Sequence, residues 1–354
     1  MLKKMVISLA TVAALAVSVV PANADPKFTP AATDLVGVGS DTTQDVLNAL
    51  ATKYNAAHPG APKLASFDAT GSVNIKPKAG KAAILRPVGS GKGIAALLGD
   101  TTGSIDFARS SAAKAGDGSQ ANLSFFALAQ DGVAWATYFK TNAPKSLTKA
   151  QLGRIYRCAG NAVYWDQVGG KKTVVKKGKK KVTTRNRIKP WLPQVGSGTR
   201  KFFLTAIGLT DAQVGSCVNQ GTAKKVNIEN NGKLLGKNQN VIAPYSIGKW
   251  IAQAVNHKVD DHGLTVLHQI SKVSPVTGKL KVNAKNGKVS GSNVRINTGD
   301  FPRQFLRLVY NVVRNADVAK FAPIFGADGW VCDQPTVIRS YGFEPLGGGC
   351  GAIS

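Results

Sequence analysis

Short strand-like apolar runs alternate with amphipathic helices along this chain, and this alternation constrains the fold more than any other feature. The strand-like runs cover residues 82–88, 104–108, 132–138 and 305–313. Apolar residues at helical spacing predict helices over residues 43–57, from 148, from 199 and after 246. Thr148 and Gln151 are placed for a capping box at the second helix. The alternation predicts an α/β architecture.

The first 24 residues have the pattern of a secretory signal peptide. Lys3 and Lys4 precede an apolar run that ends in small residues, so we expect cleavage after Ala24. A membrane anchor is the alternative, but the run is short for a span. No Cys lies near the cut, so no lipid-anchor signal is evident. We expect a protein that is secreted or held in the cell envelope.

The mature chain is long and strongly basic. About 330 residues remain after cleavage, which is more than one core usually serves and indicates two domains. The formal charge of the full sequence is +27. Such a chain attracts anions over distance, whether a small ligand or an acidic cell-wall polymer. Nucleic acid is not expected, because the protein is exported and carries no nucleic-acid-binding motif.

The cysteines are even in number, and in an exported protein this indicates disulfides. Three pairings are open, and order along the chain favours Cys158–Cys217 and Cys332–Cys350. No two cysteines lie two to four residues apart, so a zinc site is not expected.

One segment stands apart in composition. Between Lys171 and Lys189 there are ten Lys or Arg residues and no acidic residue. Two β-prone runs, 173–175 and 182–184, flank a Lys-Gly-Lys turn and predict a basic hairpin. The hairpin is either a solvated surface excursion or an electrostatic tether to the anionic envelope. A second Lys- and Gly-rich stretch, 271–297, also has the pattern of hairpins.

Four short loops share one chemical design, rich in Gly, Ser or Thr and mostly leading straight into a helix. They are residues 37–43 (GVGSDTT), 89–93 (GSGKG), 106–111 (DFARSS) and 196–200 (GSGTR). A helix start presents free N–H groups and the positive end of the helix dipole, and hydroxyls add further donors. Each loop alone is consistent with ordinary capping. Four of them in one chain predict an anion site.

Other chemistries fit the sequence less well. The GSGKG loop lacks the hydroxyl that a nucleotide-binding P-loop places after its Lys. His257, His262 and His268 lie near two aspartates but lack metal-ligand spacing. Ser197 is not in the nucleophile-elbow pattern of serine hydrolases. We therefore expect no enzyme activity, no cofactor and no metal, and a phosphate-ester hydrolase is the least favoured of the functions considered.

Four motifs, VGSD (38–41), RPVGSG (86–91), IDFARSS (105–111) and GSGT (196–199), carry a resemblance to a known family. The sequence resembles the phosphate-binding proteins of ABC phosphate importers, most closely the actinobacterial type. The resemblance implies a two-lobed periplasmic-binding-protein type II fold with a ligand cleft between the lobes. One lobe would comprise residues 25–127 and 301–354. The other would comprise 128–300, with the basic hairpin 171–189 as an insertion.

The resemblance also implies a ligand site. Its first-loop donors correspond to Asp41 and Thr42, its second-loop serine to Ser90, and its Ser-Gly-Thr to residues 197–199. The full predicted ligand-binding set is Ser40, Asp41, Thr42, Ser90, Gly91, Arg109, Ser110, Ser111, Ser197, Gly198, Thr199 and Arg200.

Two family positions differ. Ser111 replaces the Asp that accepts the proton of bound phosphate, and Pro193 replaces an Arg. Our hypothesis is that Asp41 supplies the acceptor and that Arg109 or Arg200 supplies the cation.

The resulting expectation is a monomeric, secreted solute-binding protein that captures phosphate or a related oxyanion, with an ABC permease as its implied partner. The alternative is a non-transport envelope protein of the same fold. Such a protein would bind an anionic polymer or another partner through Lys171–Lys189 and the remaining basic surface.

Overall fold

A computed structural model describes residues 25–177, 179–222 and 226–354. The predicted signal peptide and Gly178 of the predicted hairpin lie outside the described residues. Within the described ranges no helix is long and apolar enough to cross a membrane. The α-helices are α1 Gln44–Ala57, α2 Ser90–Gly99, α3 Lys149–Tyr156, α4 Gly198–Ile207, α5 Ile247–Ala254, α6 Val318–Phe325 and α7 Pro335–Ser340.

The strands of the first half are β1 Leu35–Gly39, β2 Leu64–Ser66, β3 Asn74–Ile75, β4 Ile84–Leu85, β5 Phe107–Ser110, β6 Leu123–Tyr138, β7 Ser146–Leu147 and β8 Thr173–Lys177. Those of the second half are β9 Lys180–Thr184, β10 Lys189–Pro190, β11 Val241–Ser246, β12 Thr265–Leu267, β13 Gln269–Ile270, β14 Val276–Val282, β15 Val289–Ile296 and β16 Leu306–Arg314.

A continuous sheet runs through both lobes in the order β10-β11-β6-β16-β5-β1-β2, and β12 also pairs with β6. Strand β1 is parallel to β2 and β5, whereas β16 and β11 are antiparallel to β6. The 16-residue strand β6 joins the lobes, because its first part pairs with β16 and its second part with β11. At the crossing, a Cβ on residue 132 would lie 2.8 Å from Ile247 Cδ1 and 3.1 Å from the Phe305 carbonyl oxygen, so the glycine lets these groups pack closely.

The buried core is divided between the two lobes. One large cluster, the core of what we call the second lobe, takes its buried members from residues 133–305 and includes Trp135, Trp165 and Trp250. Two further clusters, the core of the first lobe, take theirs from residues 35–129 and 309–343. Apolar burial drives each lobe to form its own core. The two-lobed α/β architecture is as expected, while the boundaries at residues 128 and 301 stay a prediction.

Local sequence signals agree with the structure at helix starts. The Thr148 and Gln151 side chains form the predicted capping box of α3, and the hydroxyl of Ser246 caps α5. The basic hairpin forms as β8 and β9, in the register that pairs Val175 with Val182. The stretch 271–297 contains the hairpin β14–β15.

Three strand predictions were inaccurate. The run 104–108 overlaps β5 only at Phe107 and Ala108. The run 82–88 contributes only Ile84–Leu85, since Pro87 has no N–H to donate to a ladder and α2 begins at Ser90. The run 132–138 is only the second part of β6, which begins at Leu123. The polar pair Gln130–Asp131 interrupts the apolar pattern in the middle of that strand.

Both disulfides follow the pairing that order along the chain favoured. Cys158 is bonded to Cys217, and Cys332 is bonded to Cys350. The first closes a loop of residues within 128–300, and the second ties the C-terminal residues to the segment after α6. Each bond therefore constrains one region without crossing the cleft.

Candidate functional site

Three first-lobe segments meet at the carboxyl ends of strands β1 and β5. Ser40 follows β1, Ser111 follows β5, and Ser90 opens helix α2. Ser40 Oγ and Ser90 Oγ each lie 3.2 Å from Ser111 Oγ. The Thr42 N–H donates to Ser40 Oγ at 3.2 Å. The carboxyl edge of parallel strands thus brings four predicted site residues into one buried cluster.

The Ser-Gly-Thr segment of the second lobe faces this cluster. Ser197 Oγ caps helix α4 by accepting from the Arg200 N–H at 3.0 Å. Thr199 Oγ1 lies 3.3 Å from Thr42 Oγ1 across the cleft. A side chain on Gly198 would meet the hydroxyls of Ser90 and Ser111 at 2.5 and 2.4 Å, so glycine permits this close approach.

The backbones of the two lobes also touch. The Gly91 N–H donates to the Gly196 carbonyl at 2.9 Å. The Gly91 N–H therefore forms a hydrogen bond between the lobes. The cleft is closed.

The carboxylate of Glu229 occupies the centre of the cluster. It accepts hydrogen bonds from the Ser197 hydroxyl and, at 3.1 Å, from the Thr199 N–H. On its other side it accepts from the hydroxyls of Thr42 at 3.1 Å and Ser40 at 3.5 Å. Only 1% of Glu229 is exposed. The predicted loops therefore converge on an anionic oxygen pair that the chain itself supplies.

A second carboxyl group, that of Asp41, lies beside Glu229. Burial, followed by the charge of Glu229, raises the pKa of Asp41 well above its ordinary value. Burial also acts to raise the pKa of Glu229, but hydrogen bonds from Asp41 and Ser197 and the charge of Arg307 outweigh it and lower that pKa. Of the two groups, Asp41 therefore holds a proton more readily than Glu229 does. Asp41 Oδ1 is buried and has no hydrogen-bond partner in the described part of the chain.

Arg307 supplies the cation of the cluster. Its guanidinium donates to Thr199 Oγ1 at 3.0 Å and to the Ser111 carbonyl at 2.9 Å. The Asp131 carboxylate lies 2.9 Å from Arg307 Nη2 and also accepts from the Ser246 hydroxyl and the Gly248 N–H. Both charges are buried, so this pair fixes the position of a positive group at the floor of the cleft.

A further buried ion pair links the lobes. Lys249 on α5 is paired with Asp45 on α1, and its ammonium also donates to the Asp41 carbonyl at 3.3 Å. Burial acts to lower the pKa of Lys249, but the charges of Asp45 and Asp41 outweigh it and raise that pKa. The Asn230 amide donates to Thr42 Oγ1 at 3.0 Å and adds another contact between the lobes.

The two arginines expected to supply the cation point elsewhere. The Arg109 guanidinium donates to the carbonyls of Ser40 and Phe67 and to the Ser66 hydroxyl. The Arg109 side chain therefore connects the loop after β1 to the end of β2 and does not donate to the hydroxyls of the cluster. Its burial lowers its pKa to about 10.

Arg200 is also fully engaged outside the cluster. It donates to Asp211, to Gln220 and to the Pro193 carbonyl. Neither guanidinium donates into the cluster in this structure, because each satisfies its donors with the acceptors that surround it. The place of Arg109 and Arg200 in the ligand set stays a prediction. Ser110 likewise turns away and donates to the Ala112 carbonyl at 2.7 Å.

Sequence reasoning missed Glu229, Arg307, Asp131 and Lys249. A signal existed for two of them. Glu229 is the only acidic residue in the sequence between Asp211 and Asp260, and Arg307 interrupts an apolar strand-like run. Neither signal indicates where in space the charge lies, since the contacts of Glu229 with first-lobe residues span 187 and 189 positions.

A cavity of about 350 Å³ opens beside the cluster, between the two lobes. Ser90 and Gly91 line one side, and Ser197, Gly198 and Lys201 line the other. In the described ranges, no group of three or more His, Cys, Asp or Glu side chains is placed to hold a metal ion.

A family model described as a PBP superfamily domain matches residues 26–324. The chain belongs to the PBP superfamily. A search of curated protein sequences finds no match. The superfamily fold implied by the four loop motifs is therefore confirmed.

Solved structures support the fold of this PBP superfamily member. An ABC-type phosphate transport receptor from Vibrio cholerae is 21% identical, with a TM-score of 0.52 over 88% of this chain and 99% of that one. A putative phosphate ABC transporter substrate-binding protein from Clostridium perfringens, with bound phosphate, is 16% identical, with a TM-score of 0.54 over 88% and 99%. At these identities the likeness concerns the fold.

Proposed function

We propose that this protein is a secreted, monomeric solute-binding protein that captures inorganic phosphate, or a related oxyanion, and delivers it to an ABC-type permease. The same proposal includes export, with cleavage after Ala24. It also includes the lobe boundaries: one lobe comprises residues 25–127 and 301–354, and the other comprises residues 128–300. The observation that carries it is the convergence of donors from both lobes on one carboxylate, that of Glu229. The solved structures of similar fold are named for phosphate transport, which supports phosphate as the ligand.

The donor set suits a tetrahedral oxyanion. Hydroxyls and N–H groups around a buried anion form charge-assisted hydrogen bonds, which are stronger than bonds between neutral groups. Arg307 adds a positive charge at the floor of the cleft and is our proposed cation for the ligand. The groups of the cluster bind and orient an anion, so we propose binding without turnover.

Asp41 remains our proposed basis of selectivity. Its unpartnered Oδ1 is buried in the cleft and is available to a ligand that carries a proton. Hydrogen phosphate has such a proton at neutral pH, and sulfate does not. A buried acceptor oxygen at this position therefore favours phosphate over sulfate.

A second function rests on the basic hairpin β8–β9. Every described side chain of β9 is exposed, and Arg185 and Lys172 share a single acidic partner, Asp166. We propose that this hairpin attaches the protein to an anionic polymer of the envelope, which would keep a soluble binding protein near its permease.

Isothermal titration of phosphate and of sulfate into the mature protein tests the main function. We expect heat with phosphate at micromolar concentrations and none with sulfate. No heat with either anion, from protein shown to be folded by circular dichroism, would refute capture of these oxyanions.

A further inference from the structure

Glu229 contacts the two lobes as a bound ligand would. Thr42 and Ser40 donate to it from the first lobe, and Ser197 and the Thr199 N–H donate from the second. These are residues of the loops whose sequence predicted an anion site. The carboxylate is therefore seated in the same donors that an oxyanion would use.

The second lobe carries Glu229 on a well-anchored turn. The neighbouring Asn227 amide donates to the carbonyls of Leu192 and Asn219, both at 3.1 Å. The Asn230 side chain accepts from the Ser246 N–H at 2.8 Å, and its carbonyl accepts from the Tyr245 hydroxyl at 2.6 Å. The turn thus presents the carboxylate to first-lobe donors when the lobes are closed.

Neither buried cation of the cleft, Arg307 or Lys249, depends on Glu229 as its ion-pair partner. Arg307 is already neutralised by Asp131, which lies 2.9 Å away. Lys249 is neutralised by Asp45. Removing Glu229 would leave no cation unpaired, but it would leave the donors of Thr42 and Ser197 and the Thr199 N–H facing each other without a shared acceptor.

We propose that Glu229 is an internal ligand: its carboxylate occupies the oxyanion position, holds the lobes closed in the absence of solute, and must be displaced before an oxyanion binds. This inference rests on the proposed function. On this inference, Glu229 competes with phosphate for the same donors. The apparent affinity for phosphate is then the intrinsic affinity multiplied by the fraction of molecules in which Glu229 has left the donors.

The opposite role for Glu229 gives the opposite result. If Glu229 instead accepted the proton of bound phosphate, its removal would weaken phosphate binding. If it were an internal ligand, its removal would strengthen binding, by about tenfold if the Glu229-free state is about a tenth of the wild-type population and by more if that state is rarer. The sign of the change separates the two roles.

The test compares the mature wild-type protein with Glu229→Ala and Glu229→Gln. Glu344→Ala is the matched control, because Glu344 is the other glutamate of the sequence and its partner, Arg295, lies outside the cluster. Two quantities are measured: the Kd for inorganic phosphate by isothermal titration, and the radius of gyration without phosphate by small-angle X-ray scattering.

We expect the wild-type protein to be compact without phosphate, because Glu229 closes it. Glu229→Ala should have a larger radius of gyration, since its unpaired donors gain water when the cleft opens. It should contract on adding phosphate and bind it at least about tenfold more tightly than wild type. Glu229→Gln, which keeps the side-chain volume, should shift both quantities in the same direction, and Glu344→Ala should shift neither.

The outcomes distinguish this inference from the proposed function. If both Glu229 variants bind phosphate with unchanged or weaker affinity, Glu229 is not a competitor and the inference is overturned. If Glu229→Ala expands but phosphate neither binds nor contracts it, Glu229 holds the lobes closed and the proposed capture of phosphate is wrong. Expansion together with tighter binding supports both.

Discussion

Two N–H groups of Arg307 donate to the same oxygen of Asp131, at 3.0 and 2.9 Å, where strand β6 passes from one lobe to the other. The two residues are also directly paired in the β6–β16 ladder. Each of these strands therefore places one charge at the floor of the cleft, and the ion pair is part of the connection between the lobes.

Replacing Arg307 by Met should strongly destabilise the protein. The change leaves the Asp131 carboxylate buried without its cation, which costs about 3–5 kcal/mol when one partner of a buried pair is removed. The free energy of unfolding, measured in urea, tests this. Arg295→Met is the control, because Arg295 is half-exposed and its contact with Glu344 is 3.8 Å. We expect a change below about 1 kcal/mol there.

The double variant Arg307→Met, Asp131→Leu should recover much of the loss, because no unpaired charge remains buried. An equal loss in the single and double variants would show that the ion pair is not the cause.

Replacing Thr199 by Val should weaken phosphate binding about tenfold to a hundredfold. The substitution keeps the side-chain shape but removes the hydroxyl that contacts Thr42 and Arg307. A hydrogen bond to a charged group contributes about 1.5–3 kcal/mol, which corresponds to that range of affinity. Titration with phosphate measures it. Thr205→Val lies on the exposed face of the same helix and should bind phosphate as wild type does. Equal affinities in the two variants would remove Thr199 from the ligand set.

Asp41 should give the protein a distinctive dependence on pH. Burial, and then Glu229, raise its pKa in the folded state, whereas the unfolded chain ionises near the ordinary value of 3.8. Folding therefore takes up a proton above that pH, so this residue's contribution to stability falls as the pH rises. The Asn side chain of Asp41→Asn is neutral at every pH, so this variant should not lose stability at this position as the pH rises. The unfolding free energy of the variant, relative to wild type, should increase between pH 4 and pH 7.

Asp117→Asn is the control for this series. Asp117 is exposed, and hydrogen bonds from Ser119 lower its pKa. The unfolding free energy of Asp117→Asn, relative to wild type, should therefore stay constant or decrease slightly as the pH rises. A constant difference for Asp41→Asn over the same range would mean that Asp41 is ionised in the folded protein.

Neutralising the basic hairpin should weaken attachment to an anionic polymer. Lys176, Lys180 and Lys181 are exposed on β8 and β9, and a Lys near an anionic surface contributes about 1 kcal/mol. Replacing the three by Ser should reduce binding to poly(glycerol phosphate) tenfold or more at physiological salt, as measured by co-sedimentation. The matched control replaces Lys279, Lys281 and Lys288 of the other hairpin, which removes the same charge. Equal losses would indicate a general effect of net charge.

Much of the local structure could be predicted from the sequence. The capping box of Thr148 and Gln151 and the Ser197 and Ser246 caps connect residues three positions apart. Their hydrogen bonds depend on near neighbours, so a pattern of adjacent residue types is enough to indicate them. The same holds for the hairpin β8–β9, whose β-prone runs flank a short turn.

The sequence by itself determined that this chain is α/β and that its Gly-, Ser- and Thr-rich loops favour an anion. It favoured one of three open cysteine pairings, which the structure then decided. The tertiary structure decided which anion those loops enclose and which cation faces them. Glu229 reaches Ser40 across 189 positions, and Arg307 reaches Asp131 across 176. Such contacts depend on how strands and loops are brought together in space, and no periodicity or local spacing encodes that arrangement.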